Sequence, residues 1–358
     1  MTAVTRQKLG VIFGGRSAEH EVSVTSARGI MRQADPARFD VVPFGITKGG
    51  AWLTPQETRA RLALVESGEQ RGLGEEPGHG VFAYPDTTDA LRDMDVVFPI
   101  VHGTTGEDGT LQGLLEMARL PYVGSGVAAS ATGMDKERMR AIFAAHAIPQ
   151  TRYLVLRDDE TTAPAPDVLS RIEGELGYPC FVKPANGGSS VGVSRARSRE
   201  DVGGALAGAA RFDRKVLVEA AVTGREVECA VLGNHDPQPS PLGEIRPTTE
   251  FYDYAAKYLD DSAALIVPAE VDADAAARVQ MYAVRAFRAL DCAGLARVDF
   301  FLEPDGNVKC IEVNTLPGFT PISMYPRLWG EAGISYTDLI SRLVDFALER
   351  YEEERSRG

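Results

Sequence analysis

The sequence lacks the signatures of several common protein classes. Neither the GxGxxG fingerprint of dinucleotide-binding folds nor the GxxxxGK[ST] phosphate loop occurs anywhere in it. The four cysteines are scattered, with no CxxC or Cys/His metal spacing. Three of them lie in apolar runs, so we expect buried thiols in a reducing compartment. No stretch approaches 18 apolar residues, so no transmembrane helix is expected.

An excess of positive charge is also missing. The formal net charge is −13, which disfavours nucleic acid and anionic membrane surfaces as partners. An anionic substrate stays possible, because local basic residues can override the global field. The first residues show no charged leader followed by an apolar region, so a cytoplasmic protein is expected. At 358 residues the chain exceeds the size of one core, and two or three domains are expected.

The most informative stretch spans residues 294–324. Two alternating segments flank Asp305-Gly306, and an Asp-Gly pair between such segments predicts a tight β-hairpin. A two-residue turn there places Asp299 opposite Glu312 and Arg297 opposite Asn314. Side chains alternate along a strand, so all four are expected on one face of the hairpin.

These four residues form a chemically unusual group. Two directly opposed carboxylates repel, and a sheet built only for stability would avoid them. Asp299, Glu312 and Asn314 offer the hard oxygen ligands that Mg²⁺ prefers, and Arg297 can hold a phosphate or a developing oxyanion. The alternative is a solvated sheet face with one ion pair. The Gly- and Pro-bent loop at 314–323 favours a ligand site, because its backbone N–H groups could face a ligand.

A second informative stretch spans residues 180–197. Two apolar strands flank a loop of small residues that contains Gly187, Gly188, Ser189 and Ser190, and Lys183 closes the first strand. Such a loop lets backbone N–H groups approach phosphate oxygens closely. An ordinary flexible hairpin is the alternative, and the neighbouring lysine favours phosphate binding.

The N-terminal part of the chain predicts a parallel sheet. The run KLGVIFGG breaks at Gly14-Gly15 and leads into a helix, and MDVVFPIVHG is a continuous apolar run that ends at His102. Glu21, in the first turns of that helix, could hold a substrate ammonium, or it could be a solvated glutamate near a helix N-terminus. His102 has either a role in a site or a role in capping a loop.

Three further segments are less decisive. Residues 55–90 are weakly patterned and are expected to form an exposed loop. The runs KVLVEAAV and GREVECAVLG predict a strand pair, in which Glu219 and Glu226 either meet a purine nucleotide or belong to a surface hairpin. Residues 234–264 lack periodicity and are expected to form a long loop whose three tyrosines, beside Lys257, act as a lid.

The motifs resemble, in their order along the chain, those of the ATP-grasp ligases, and in particular the D-alanine–D-alanine ligase family. The resemblance extends from about Gly10 to beyond Trp329. The motifs are HEVS (20–23), HGTTGEDGTLQG (102–113), FVKPANGGSSVGVS (181–194), FYDYAAKY (251–258), RVDFF (297–301) and EVNTLPGFTPIS (312–323).

The resemblance implies an α/β (α+β) ATP-grasp fold of three domains. These are an N-terminal domain with an open parallel sheet at 1–135, a central subdomain with the glycine loop at 136–225, and a C-terminal subdomain with lid and metal-binding hairpin at 226–358. The implied reaction phosphorylates the carboxylate of one D-alanine with ATP, and the amine of a second D-alanine then attacks the acyl phosphate. The product would serve peptidoglycan precursor synthesis. Two Mg²⁺ ions, with Mn²⁺ as a substitute, a monovalent cation such as K⁺, and a homodimer are also implied.

The resemblance also implies roles for individual residues. ATP would be held by Lys136, Lys183, Ser189, Ser190, Glu219, Ala221, Val222 and Glu226. The metal ligands would be Asp299, Glu312 and Asn314. Arg297 and the Gly318 N–H would stabilise the oxyanion of the tetrahedral intermediate. The two D-alanines would be bound by Glu21, His102, Lys257, Ser323 and Met324, and Tyr258 and Ser189 would join Glu21 in a hydrogen-bonded network.

Small departures and two alternative functions accompany this interpretation. Ala255 stands where an acidic residue is common, and Phe319 and Met324 replace other apolar residues near the second subsite. One alternative is a D-alanine–D-lactate ligase. It is disfavoured because, in the family, a tyrosine at the position of Tyr258 accompanies the dipeptide product. A non-catalytic ATP-grasp regulatory module is the other, and it is disfavoured because the carboxylates and Arg297 are all kept.

Overall fold

The computed structural model describes residues 6–162, 164–247 and 263–357. Its described strands form three sheets, which occupy residues 7–100, 153–220 and 225–314. The boundaries between domains stay a prediction. No helix in these described ranges is long and apolar enough to cross a membrane.

The first sheet is parallel, as predicted. Its order is β2 (Phe39–Ile46), β1 (Gln7–Gly14) and β3 (Val96–Ile100). All five residues of β3 are buried, because helices cover both faces. One face packs against α1 (His20–Gln33), and the other packs against a cluster that includes Leu111 and Leu115 from α4 (Thr110–Met117). The carboxyl ends of β1 and β3 therefore lie side by side.

The expectation of an exposed loop over residues 55–90 is wrong at both ends, whereas residues 67–80, in the middle, contain neither a helix nor a named strand. Two helices lie at these ends, α2 (Pro55–Glu66) and α3 (Pro85–Arg92). The start of α2 is fixed by a capping box between Thr54 and Glu57, with Pro55 in the first turn. Only Thr58 of α2 is buried, so the helix has no apolar stripe for a periodicity search to find.

Asp135 divides the next helical segment. Two helices lie on either side of this residue, α5 (Val127–Met134) and α6 (Lys136–Ala145). The Asp135 carboxylate accepts hydrogen bonds from the backbone N–H groups of Glu137 and Arg138, which makes it the N-cap of α6. This break places Lys136 at the first position of α6, beside the glycine loop.

The second sheet carries the glycine loop. Its order is β4 (Tyr153–Arg157), β7 (Lys215–Ala220), β5 (Cys180–Pro184) and β6 (Ser194–Ala196), all antiparallel. Helices α7 (Asp158–Thr162), α8 (Pro166–Glu175) and α9 (Arg199–Ala210) complete this part, and residues of α8 and α9 share its core. The loop joins β5 to β6 as an antiparallel hairpin, as predicted.

The third sheet corrects two expectations. Its order is β10 (Ala263–Ile266), β9 (Gln238–Pro247), β8 (Arg225–Gly233), β11 (Gly294–Leu302) and β12 (Val308–Asn314). β7 and β8 do not pair with each other, because each already has two neighbours in its own sheet. The supposed loop from 234 to 264 contains β9. Helices α10 (Ala273–Ala289), α11 (Met324–Glu331) and α12 (Tyr336–Arg357) complete the described chain, and α12 joins α1 on the first sheet.

Candidate active site

Two adjoining cavities lie where the three sheets meet. The larger has a volume of about 720 Å³ and lies between the glycine loop, β7 and the third sheet. The smaller has a volume of about 70 Å³ and is lined by residues from the N-terminal region, the glycine loop and the hairpin. Five residues line both cavities: Lys136, Gly187, Gly188, Ser189 and Glu312. A group transferred from one cavity to the other would pass these residues.

A buried charge cluster forms one wall of the larger cavity. Glu219 is bridged by Lys183 from β5 and by Arg140 from α6. Burial opposes ionisation of Glu219, yet the charges of Arg140 and Lys183 keep its pKa below the ordinary value. Burial lowers the pKa of Lys183, although Glu219 opposes this shift. Arg140 was not predicted from the sequence, because nothing in the surrounding helical pattern indicates that this arginine is fully buried.

The predicted nucleotide residues surround the larger cavity. Its lining includes Lys136, Lys183, Ser189, Ser190, Glu219, Val222 and Glu226. Ala221 is the exception, since Ala220 and Val222 line the cavity on either side of it. The Ala221 backbone N–H instead lies 3.2 Å from the Pro179 carbonyl oxygen, which accepts its hydrogen bond.

The glycine loop is held by local contacts. Ser189 and Ser190 both have positive φ, at 48° and 58°, and the Val191 N–H donates to the Gly188 carbonyl at 3.2 Å. The Lys136 ammonium donates to the Gly187 carbonyl at 2.8 Å and lies 3.4 Å from the Glu312 carboxylate. Lys136 therefore links the loop to the hairpin at the junction of the cavities.

The hairpin has the predicted pairing, but its turn differs. Arg297 pairs with Asn314 and Asp299 with Glu312. The predicted two-residue turn is wrong: Glu303 N–H donates to the Asn307 carbonyl, and Gly306 has φ +82°, which is typical of a three-residue loop. That loop alone would shift the pairing by one residue. A β-bulge between positions 299 and 300 shifts it back, so the two deviations cancel.

Arg297 and Asp299 are tightly paired within the hairpin. The Arg297 Nε and Nη2 atoms donate to the two Asp299 carboxylate oxygens, each at 2.8 Å. Asn314 Nδ2 donates to the same carboxylate at 3.0 Å. Arg297 Nε also lies 3.1 Å from the carboxylate of Glu228 on β8. The sequence analysis missed Glu228, which joins Asp299 and Glu312 in one row across three strands.

The hairpin residues suit a hard divalent cation. Within the described ranges, no three His, Cys, Asp or Glu side chains converge on one point. The predicted ligand set differs from such a cluster, because it combines two opposed carboxylates, Asp299 and Glu312, with the amide of Asn314. Glu312 lines both cavities and Asn314 lines the smaller one, whereas Asp299 is buried behind them and lines neither. The oxygens of this set fit the chemistry of Mg²⁺.

The N-terminal glutamate that faces the site is Glu19, and the assignment of Glu21 is corrected. Glu19 lines the smaller cavity, and its carboxylate accepts a hydrogen bond from the Ser189 hydroxyl. Glu21 instead pairs with Lys48 at 2.5 Å. Burial alone would raise the pKa of Glu21, but the hydrogen bond and charge of Lys48, together with a backbone hydrogen bond, lower it. Glu19 is the N-cap residue that precedes α1, whereas Glu21 lies in the first turn of the helix, so the two side chains leave the backbone in different directions.

His102 lies at the inner end of the smaller cavity. Its side chain is buried, with Nδ1 3.5 Å from the Glu107 carboxylate and Nε2 3.4 Å from the Ser26 hydroxyl. Burial alone would lower the pKa of His102, but hydrogen bonding and charge from Glu107 raise it above its ordinary value. His102 lines the smaller cavity and contacts the half-buried carboxylate of Glu107, which favours a role in the site over a role in capping a loop.

The loop after β12 closes the smaller cavity. Gly318 lines it, and a side chain at this glycine would lie 3.1 Å from the Ser323 hydroxyl. Met324 and Phe319, which we expected near the second subsite, are both buried in the core. Met324 is the first residue of α11 and packs against Gly243, so its side chain is directed away from the cavity. Lys257 and Tyr258 lie outside the described residues.

Comparisons with known proteins agree over the whole length of the chain. The family models "D-ala D-ala ligase N-terminus" and "D-ala D-ala ligase C-terminus" match residues 8–125 and 142–345. A D-alanine–D-alanine ligase of Mycobacterium avium is 48% identical over 370 residues, covering 98% of this chain and 99% of the relative. One from Geobacillus thermodenitrificans is 46% identical over 359 residues, covering 98% of both.

Solved structures show the same likeness. The D-alanine–D-alanine ligase of Coxiella burnetii superposes with a TM-score of 0.81 at 32% identity, covering 98% of this chain and 96% of that one. A D-Ala:D-Ser ligase from Enterococcus faecalis has a TM-score of 0.78 at 31% identity, covering 96% of this chain and 100% of that one.

Proposed function

The chain belongs to the D-alanine–D-alanine ligase family, and we propose that it joins two D-alanines to D-alanyl-D-alanine while converting ATP to ADP and phosphate. The observation that carries this proposal is the pair of adjoining cavities that share Lys136, the glycine loop and Glu312. A nucleotide in the larger cavity would present its terminal phosphate to a carboxylate in the smaller one.

ATP would lie along the larger cavity. The purine would meet Glu219 and the backbone near Val222, and the ribose would meet Glu226. Lys136 and Lys183 would hold the phosphates beneath the glycine loop. A divalent cation at Asp299, Glu312 and Asn314 would offset the charge of the transferring phosphoryl group.

The first D-alanine would lie in the smaller cavity. Glu19 is the carboxylate placed to receive its ammonium, and Ser189 ties that glutamate to the glycine loop. The carboxylate of the first D-alanine would be directed towards the cavity junction, where the phosphoryl group arrives. His102, held by Glu107, would line the inner end of this subsite.

The second D-alanine would attack from the side of the 314–323 loop. Its amine adds to the acyl phosphate, and the oxyanion of the tetrahedral intermediate would be stabilised by Arg297 and the Gly318 N–H. Collapse of the intermediate expels phosphate and leaves the peptide bond. Ser323, with Lys257 of the predicted lid, would bind the carboxylate of this second substrate, and Tyr258 would favour an amine over D-lactate.

The remaining features of the proposal concern assembly and cofactors. We include two Mg²⁺ ions, with Mn²⁺ as a substitute, and activation by a monovalent cation such as K⁺. A homodimer formed through the first domain and a cytoplasmic location complete it. These expectations come from the family resemblance.

Isotope transfer tests the proposed mechanism. D-alanine labelled with ¹⁸O in its carboxylate should transfer one ¹⁸O atom to the released phosphate, because the phosphoryl group bonds to that oxygen before the amine displaces it. Mass spectrometry of the phosphate gives the answer. Unlabelled phosphate from an enzyme that forms the dipeptide would rule out the acyl phosphate.

A further inference from the structure

Three carboxylates stand in one row across the third sheet. Glu228 on β8 pairs with Asp299 on β11, which pairs with Glu312 on β12. Paired residues of neighbouring strands project from the same face, and like charges in such a row are unfavourable without a compensating group. Glu228 is the inner member, with a side chain that is 3% exposed. Glu228 is not one of the three proposed metal ligands, so metal binding does not explain why this carboxylate is buried.

The compensating group beside Glu228 is Arg297. Its Nε lies 3.1 Å from a Glu228 oxygen and 2.8 Å from an Asp299 oxygen. That nitrogen carries a single hydrogen, which is directed to Asp299, so the contact with Glu228 is one of charge. Arg297 thus stands between two buried carboxylates and can shift from one to the other by a small movement.

A cation at Asp299 would compete with Arg297. The guanidinium engages both Asp299 oxygens, and Asn314 donates to the same carboxylate. A divalent ion needs at least one of those oxygens, so Arg297 must give up at least one of its two hydrogen bonds to Asp299. The Arg297 side chain is only 17% exposed, so the loss of its carboxylate partner would destabilise the protein unless another negative group replaced that partner.

We propose that Glu228 is a positioning residue that receives Arg297 when a divalent cation binds Asp299. It thereby frees an Asp299 oxygen for the metal and keeps the guanidinium beside the smaller cavity, where the oxyanion forms. The inference rests on the proposed function, specifically on Asp299 as a metal ligand. It adds a residue that acts through Arg297 and touches neither metal nor substrate.

Manganese binding tests this inference without relying on turnover. Mn²⁺ affinity is measured in the presence of ADP by electron paramagnetic resonance for wild type, Glu228→Gln, Arg297→Gln and the double variant. Residues that orient metal ligands typically contribute about 10–100-fold to affinity, so Glu228→Gln should weaken Mn²⁺ binding by about tenfold or more. In the Arg297→Gln background the same change should have little effect, because no guanidinium is left to move.

Control variants distinguish a local effect of Glu228 on Arg297 from a general effect of removing one negative charge. Glu303→Gln removes one charge from the far end of the hairpin and should leave the affinity unchanged. Glu228→Asp keeps the charge and should therefore retain part of the Mn²⁺ affinity that Glu228→Gln loses. Unchanged ADP affinity in each variant would show that the fold is intact. Equal losses from Glu228→Gln in both Arg297 backgrounds would overturn the inference. Wild-type affinity in Asp299→Asn would instead refute the metal assignment itself, so the two failures are distinguishable.

Discussion

The buried cluster of Arg140, Glu219 and Lys183 yields a prediction about stability. Arg140→Met keeps most of the side-chain volume but removes the charge that faces Glu219. Breaking a buried ion pair by removing one partner costs about 3–5 kcal/mol. Lys183 still neutralises Glu219, so we expect the lower end, about 3 kcal/mol. The Ile311 carbonyl, 3.4 Å from Arg140 Nη2, also loses its donor.

Urea unfolding followed by circular dichroism measures this loss. Arg157→Met is the matched control, because Arg157 also pairs with α6, at 2.8 Å from Glu137, but its side chain is 49% exposed. An exposed pair contributes about 0–1 kcal/mol, so the control should unfold close to wild type. Equal midpoints for the two variants would refute the view that the buried cluster stabilises the fold.

The pH dependence gives the cluster a second signature. Arg140 and Lys183 outweigh burial and lower the pKa of Glu219 in the folded protein. Its stabilising contribution is therefore fully present above the ordinary glutamate pKa of about 4.3 and is lost as the pH falls through the folded value. The difference between wild type and Arg140→Met should shrink as the pH falls below about 4. A difference that stayed constant over this range would contradict the assignment.

Three further predictions concern the site. Glu19→Gln should raise the KM for the first D-alanine about tenfold or more with little change in the KM for ATP, whereas Glu21→Gln should change neither; the opposite ranking in steady-state kinetics would restore Glu21. Glu312→Gln should abolish ATP turnover, since a proposed metal ligand is lost, and ADP release at the wild-type rate would remove Glu312 from the metal site. Tyr258→Phe should let D-lactate compete better as second substrate, which an unchanged ratio of dipeptide to depsipeptide would contradict.

The sequence predicted elements best where hydrophobic pattern and packing agree. β1 and β3 contain continuous apolar runs because helices cover both faces of their sheet, and such short runs are typical of buried parallel strands. α2 was missed for the opposite reason. Only Thr58 is buried, and Leu62 and Val65 pack against the core while half-buried, so the clearest local signal was the capping box at Thr54 and Glu57.

The hairpin shows how a correct pairing can rest on an incorrect turn. Alternation identified the face that carries Arg297 and Asp299, which is the information that the site requires. The length of the loop and the bulge could not be predicted from the sequence, because a bulge adds one residue without changing the composition of the strand. The predicted ligand set stays a prediction, although its members lie together.

The error at the first helix has a different origin. The motif that includes Glu21 was located correctly, but the residue that faces the cavity depends on where α1 begins. Glu19 directly precedes α1 and Glu21 lies in its first turn, and sequence-based helix boundaries are uncertain by more than this separation of two residues. Arg140 and Glu228 were missed because their partners are distant in sequence, and only the assembled sheets bring them together.

The most direct test of the account is product analysis with D-alanine as the only amino acid substrate. ADP and product masses are measured with ATP and Mg²⁺, and in parallel with D-lactate or D-serine added. The account predicts ADP release together with the mass of D-alanyl-D-alanine, which should stay the main product in the mixtures. No ADP from protein shown to bind ATP would contradict it and favour a regulatory ATP-binding module.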